Sequence, residues 1–409
     1  MNAKNLGASL RSARKTRGLS QQTVALKLGL PRTAITHIEA GQRSVSTLEL
    51  VQMAELYLVQ VGDLLSHNSG DIGQDVLVAL HRIAPGLNDD PATREQIDRC
   101  LALFREGVAL RHKLHRENRL SAPKYEAQPL RTSGDAVWQG EQVAEQERRR
   151  LGIANEPISD ISGLIGKQGI WASSITLPSH ISGMFLQHSS IGMAILANFS
   201  HSRGRKRFSY AHEYAHALLD RNDIAQVSVA AKKSNPVEIR ANAFAAAFLM
   251  PREGVRAFLH GLGKGLPSRR DHLIFDAASG SHVNATQRMQ PRSQRIDYKD
   301  NAMLSRHFGV SYPAAAYRLK SLGYVSGREC SHLREQQCFG RQYLDMFIDG
   351  DQRGSEPHGG RELNKEIAHL AIEAYSRGEI SRGRILELSR TLGVEGDRLF
   401  QFAEITLGE

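Results

Sequence analysis

Residues His212-Glu213-Tyr214-Ala215-His216 are the part of this chain best equipped for chemistry. They read H-E-x-x-H within a run, Phe208 to Leu219, that no proline or glycine interrupts. On a helix, residues four apart share a face, so both imidazoles reach one metal ion. The glutamate between them stands close enough to take a proton from a water on that metal. This is the chemistry of a zinc-dependent hydrolase, which needs three protein ligands and one open position. The third ligand, a carboxylate or a histidine, must come from a neighbouring element. Glu238 meets that need, because it falls in the first turn of an alanine-rich helix whose small side chains allow close packing. Asn242 and Arg240 share that helix and could orient the ligands, although ordinary packing or exposure accounts for each equally well. Tyr210 and Tyr214 could donate to an oxyanion, but a packed tyrosine is the favoured reading of both. His180, His188 and His201 lack ligand spacing and read as surface or loop histidines.

The flanking text supplies elements to hold these residues. Helices are expected over Gly140–Leu151 and Ile158–Gln168, the second with Pro157 at its first position. Strands are expected at Gly169–Ile175, Ile181–Gln187 and Ile191–Phe199, followed by the H-E-x-x-H helix. Another helix starts after Asn235-Pro236 and stops at Met250, before Pro251.

Near the amino terminus, Ser20 reads as an N-cap, and Gly29 suits the positive φ that ends the helix. A second helix begins near Pro31-Arg32 and runs through Ala34, Ile35 and Ile38 to Gly41. Ala25, Leu30, Ile35 and Ile38 would pack the pair together, giving a helix-turn-helix whose second helix fits the DNA major groove. The segments L-S-Q-Q-x-x-A, L-G-L-P-R-x-x-I-x-x-I-E-x-G-x-R and the closing L-x-x-V-G-D-L-L near Leu58–Leu65 resemble the Xre/Cro-type repressor domain. That resemblance implies Gln21 and Arg43 on the DNA backbone and Arg32, Thr33, Thr36 and His37 on the groove-facing side of the second helix. Double-stranded operator DNA is the implied partner, and a homodimer is compatible with such a module. The competing reading is a helical hairpin used only for protein contact.

The metal region has its own likeness. R-F-x-x-A-H-E-x-x-H-A-L followed by E-x-x-A-N-x-F-A-A-x-x-L-M-P resembles the ImmA/IrrE family of zinc metallopeptidases, and the upstream strands fall in that family's order. The resemblance implies Zn2+ held by His212, His216 and Glu238, with Glu213 as general base. It also implies a protein substrate, a repressor or antitoxin-like regulator in a stress or mobile-element circuit. The alternative is a non-proteolytic regulator that uses the zinc fold as sensor or scaffold.

Composition sets wider bounds. The chain has 409 residues and a net charge of +10, which favours a polyanionic partner. The basic runs Arg148-Arg149-Arg150 and Arg203 to Arg207 read as solvated surface. Three scattered cysteines, Cys100, Cys330 and Cys338, make a disulfide framework or a cysteine zinc site improbable and fit a reducing cytoplasm. There is no apolar run long enough for a membrane span and no apolar core of a secretion signal. The fold class is multidomain and mainly α. It comprises an all-α helix-turn-helix domain (1–68), a helical connector (75–134), an α+β zincin-like metallopeptidase domain (135–256), a polar linker or insertion (257–297) and a helical C-terminal region (298–409). Residues 302–325 look like a second helix-turn-helix, which would either bind DNA or buttress the catalytic domain.

Overall fold

Ser20 caps the helix that follows it by accepting from the backbone N–H of Thr23, and Gly29 ends that helix with φ 65°. In the computed structural model the described residues are 3–16, 19–57, 61, 64, 90–116, 122–188, 191–221, 225–229, 235–265, 269–276, 281–288, 293–346, 360–396 and 400. The chain divides into two units, Met1–Asp75 and Val76–Glu409.

The first unit contains α1 (Ala3–Thr16), α2 (Gln21–Leu28), α3 (Arg32–Glu39) and α4 (Thr47–Tyr57). Val24, Ala25, Ile35, Ile38, Leu50 and Met53 form its core, and Leu30 packs against them from a half-buried position. A Cβ on Gly7 would lie 2.4 Å from the carbonyl oxygen of Ile38, so α1 and α3 approach as closely as glycine permits. The closing motif near 58–65 falls partly outside the described residues; within it, Leu64 is buried against this core.

The second unit is built on a four-stranded sheet. Its strands are β1 (Ile170–Ile175), β2 (Ile181–His188), β3 (Gly192–Asn198) and β4 (Ala225–Val229), in the order β1-β3-β2-β4. The β1–β3 pair is parallel; β2 runs antiparallel to both β3 and β4. Every residue of β1 is buried. That is the pattern of a strand covered on both faces. On one face Ile170 and Ala172 join the core of α8 (Arg203–Leu219) and α9 (Pro236–Leu249). On the other, Trp171 stacks on Phe104 of α5 (Pro91–Lys113), and Arg111 lies 3.8 Å above the Trp171 ring.

That second layer is drawn from the helical connector and from the helical C-terminal region. The segment read as a connector contributes α5 to the packing. Helices near the end of the chain, α15 (Arg361–Ser376) and α16 (Arg382–Leu392), close on α5 through Arg111–Glu366, Arg116–Glu373 and Arg384–Glu106 ion pairs. The part of the connector before Asp90 lies outside the described residues.

Between these lie α6 (Ser133–Arg150) and α7 (Ile161–Gly166). Helix α6 starts earlier than the expected Gly140 because Thr132 and Asp135 form a capping box. Helix α7 is shorter than expected, because Asp160, not the turn at Pro157, supplies the N-cap. The stretch read as a polar linker carries the end of α10 (Arg252–Gly261) and a hairpin of β5 (Arg269–Asp276) and β6 (Ser281–Arg288). The basic runs are not simply solvated. Arg148 is 2% exposed and donates to the carbonyls of Ala154 and Glu156. Arg207 is buried and donates to those of Ser159 and Ile158.

The helices α11 (Tyr298–Phe308), α12 (Tyr312–Ser321), α13 (Gly327–Glu335) and α14 (Gln337–Asp345) follow the hairpin. Helices α11 and α12 have helix-turn-helix connectivity, with Gly309 at φ 64° and Ser311 as N-cap. Their turn is covered, however: a Cβ on Gly204 of α8 would lie 2.5 Å from the Ser311 nitrogen. Arg318 of α12 is buried and donates to the Met250 carbonyl. This pair therefore braces the metal region, and the amino end of α12 is not open to a DNA groove.

Candidate metal centre

Helix α8 is buried on nearly every side from Lys206 to Leu219. Tyr214, inside the H-E-x-x-H motif, is fully buried and donates to Glu147 Oε1 of α6 at 2.5 Å. Glu147 also accepts from Tyr125 and from Arg150. The Tyr214 hydroxyl is thus committed to anchoring the helix, as its packed reading expects.

Helix α9 reaches α8 because α6 lets it approach. A Cβ on Gly140 would come within 2.4 Å of the Arg240 carbonyl oxygen. Asn235 caps α9 and Pro236 opens it, which places Glu238 in the first turn. The outcome is a cluster of His212, His216 and Glu238, all buried, whose ligand atoms lie within 4.8 Å of one another. His212 Nε2 is 3.1 Å from Glu238 Oε2 and 3.2 Å from His216 Nε2.

The outward-facing ring nitrogens are held by acceptors. His212 Nδ1 lies 3.0 Å from Asn242 Oδ1, and His216 Nδ1 lies 2.9 Å from Asp220 Oδ2. With Nδ1 carrying the proton in each ring, both Nε2 lone pairs converge beside the Glu238 carboxylate. Two lone pairs and a carboxylate at that spacing suit a cation held between them. Two nitrogens bound to one tetrahedral zinc lie about 3.3 Å apart, close to the separation seen here. The donor set therefore fits zinc. Burial works against a charged His212, but Glu238, Glu213 and Asn242 outweigh it and hold its pKa above the ordinary imidazole value. Burial likewise opposes the Asp220 charge, yet His216 and Arg240 hold its pKa below the ordinary carboxyl value.

Glu213 is fully buried on the same helix. Its carboxylate sits against Gly183 of β2, where a Cβ would stand 3.0 Å from Oε1. Asp220 and Gly183 escaped the sequence reading. Asp220 carried one usable signal, its position four residues after His216. Arg240 pairs with Asp220 and reaches Gln139, so it supports His216 through a carboxylate.

The residues assigned to DNA in the first unit are placed differently from one another. Arg32, Thr33, Thr36 and His37 are exposed on α3. Gln21 donates to Glu39 at 2.9 Å and accepts from Thr36, while Glu39 pairs with Arg14 at 2.5 Å. Arg43 is half-buried and paired with Glu49 at 2.7 Å.

Residues 166–267 match the family model described as the IrrE N-terminal-like domain, a peptidase family, and residues 10–64 match a helix-turn-helix model. The chain joins an IrrE-like domain to an Xre/Cro-type domain. Together the matches cover less than half of the sequence, and no curated protein matches it. The match to the IrrE-like domain contains all of the metal cluster, whereas α6, which positions the cluster from behind, lies outside it. Among the described residues no helix is long and apolar enough to cross a membrane.

Proposed function

We propose that this DNA-binding regulator is a zinc-dependent endopeptidase acting in the cytoplasm, which hydrolyses a peptide bond in another regulatory protein of the repressor or antitoxin type. The observation that carries this reading is the convergence of His212 Nε2, His216 Nε2 and Glu238, with Glu213 on the same helix. These three residues would hold zinc, which when bound polarises the scissile carbonyl and lowers the pKa of water. The chain's own groups supply the remainder. Asn242 and Asp220 keep both Nδ1 protons in place and so fix the ring orientations. A Glu213 carboxylate oxygen takes the proton from the attacking water and returns it to the leaving amine nitrogen. Gly183 leaves room for that carboxylate beside β2.

The Xre/Cro-type domain would bring the peptidase to operators, where DNA-bound regulators are concentrated. Base contacts would come from the exposed α3 residues Arg32, Thr33, Thr36 and His37. Gln21 and Arg43 would serve as backbone contacts, Arg43 by exchanging Glu49 for a phosphate.

Glu213→Gln tests the reading, with the regulators encoded beside this gene as candidate substrates. The variant should hold as much zinc as the wild type by elemental analysis. Its cleavage of whichever candidate the wild type cuts should fall by about a hundredfold or more, the usual loss on removing a general base. Equal processing by both proteins rejects the peptidase and leaves the zinc fold as a sensor or scaffold.

A further inference from the structure

Arg240 is 3% exposed, and it is engaged differently from other buried arginines of its unit. Arg148 and Arg207 donate to backbone carbonyls. Arg240 turns instead to side chains. Its Nη2 donates to Asp220 Oδ1, and its Nη1 lies 3.5 Å from Gln139 Oε1. Its Nε has no hydrogen-bond partner among the described residues. A buried charge needs a compensating one, and Asp220 is the ion-pair partner that these residues provide.

The Asp220 carboxylate is shared between two groups. Oδ1 faces Arg240, and Oδ2 lies 2.9 Å from His216 Nδ1. With one oxygen held by a guanidinium, the carboxylate cannot turn without losing a charge-assisted bond. Its other oxygen is thereby kept on the imidazole. The helical period of α9 makes this possible. Glu238 and Asn242, four residues apart, share the face that meets His212. Arg240, two residues from each, leaves from another side and reaches the carboxyl end of α8. Helix α9 therefore addresses both histidines, His212 directly and His216 through Asp220. Charge adds a second reason. Glu213 and Glu238 act on His212, and Asp220 acts on His216. A divalent cation balances two of these carboxylates, and Arg240 balances the third.

Resting on the zinc reading above, we propose that Arg240 is a positioning residue for the metal. It clamps the residue 220 side chain so that an acceptor faces His216 Nδ1, and so keeps the Nε2 lone pair turned to the ion.

The full-length protein and its variants are titrated with zinc against a chelator, and their cobalt-loaded forms are compared by visible absorption. Arg240→Met should weaken zinc about tenfold or more, the usual cost of losing an outer partner of a ligand. At saturating cobalt its spectrum should differ from that of the wild type, because the His216 ring is no longer held. Asp220→Asn separates positioning from packing. An asparagine offers one acceptor oxygen, which Arg240 should claim. The amide NH2 then faces His216 Nδ1 and drives the ring proton to Nε2, so zinc affinity should fall steeply. Adding Arg240→Met frees that oxygen for His216. The double variant should therefore bind zinc about threefold or more tightly than Asp220→Asn alone. It carries neither charge, so it stays informative if Arg240→Met leaves Asp220 uncompensated and fails to fold. A double variant that binds no more tightly than Asp220→Asn overturns the proposal. So does an Arg240→Met protein with wild-type zinc affinity, or one whose saturated cobalt spectrum is that of the wild type. Wild-type protein that takes up no zinc rejects the metal centre and this role with it, whereas zinc uptake unchanged by Arg240→Met rejects the role alone. None of these readouts uses peptide cleavage.

Discussion

His212 and His216 are distinguished less by their spacing than by where their Nδ1 protons go. Asn242 and Asp220 take one each, which turns both Nε2 lone pairs inward. Removing either acceptor frees the ring to rotate and to change tautomer. Asn242→Ala should therefore weaken zinc about tenfold to a hundredfold in a chelator competition. Glu238→Ala, which removes a proposed ligand, should cost more; full zinc occupancy in that variant would mean that the third ligand lies elsewhere. The cluster was legible in the sequence because helical periodicity puts residues 212 and 216 on one face and a capped helix start exposes Glu238. Asp220 was not, because an aspartate at a helix end is ordinary until its partner is known. Arg148 was misread for a related reason. A run of arginines predicts a charged surface, and only the fold reveals that one of them satisfies carbonyls inside it.

At the scale of elements, the contact between α6 and α9 determines whether Glu238 reaches the histidines. Gly140 is the point of closest approach, and its confinement comes from backbone atoms that cannot swing aside. Gly140→Leu should therefore push α9 outward. Zinc content and melting temperature should fall together, whereas Glu213→Gln leaves both near wild type. Loss of stability with full zinc binding would show that α9 does not depend on this contact. The sequence indicated the strands and both metal helices, because their patterning is local. It missed β4, which is only five residues long and has a single large apolar pair, Val227 and Val229, to mark it as a strand. It also read α11 and α12 as open to either role, since connectivity alone cannot reveal that Gly204 occupies the space at their turn.

At the scale of the whole molecule, the first unit should bind DNA through cations on one face. Affinity should fall steeply with salt, and Arg32→Ala should relax sequence preference with little change in the slope of log K against log salt, as loss of a base contact does. A slope reduced by about 1 with unchanged sequence preference would instead make Arg32 a phosphate contact. The layer across β1 has a different kind of consequence. Arg111 and Glu366 are 255 residues apart, and the entire metal region is translated between them. Folding therefore has an order imposed by synthesis. The strands and metal helices emerge first, with the α5 side of the sheet awaiting its clasp. Because such distant contacts close slowly, a nascent chain paused before residue 361 should be far more readily nicked by an added protease within α5 than the released protein. Equal resistance would mean that α5 holds its place without α15. If α5 is instead the more readily nicked, timing of translation joins salt and zinc among the variables that decide when this regulator is complete.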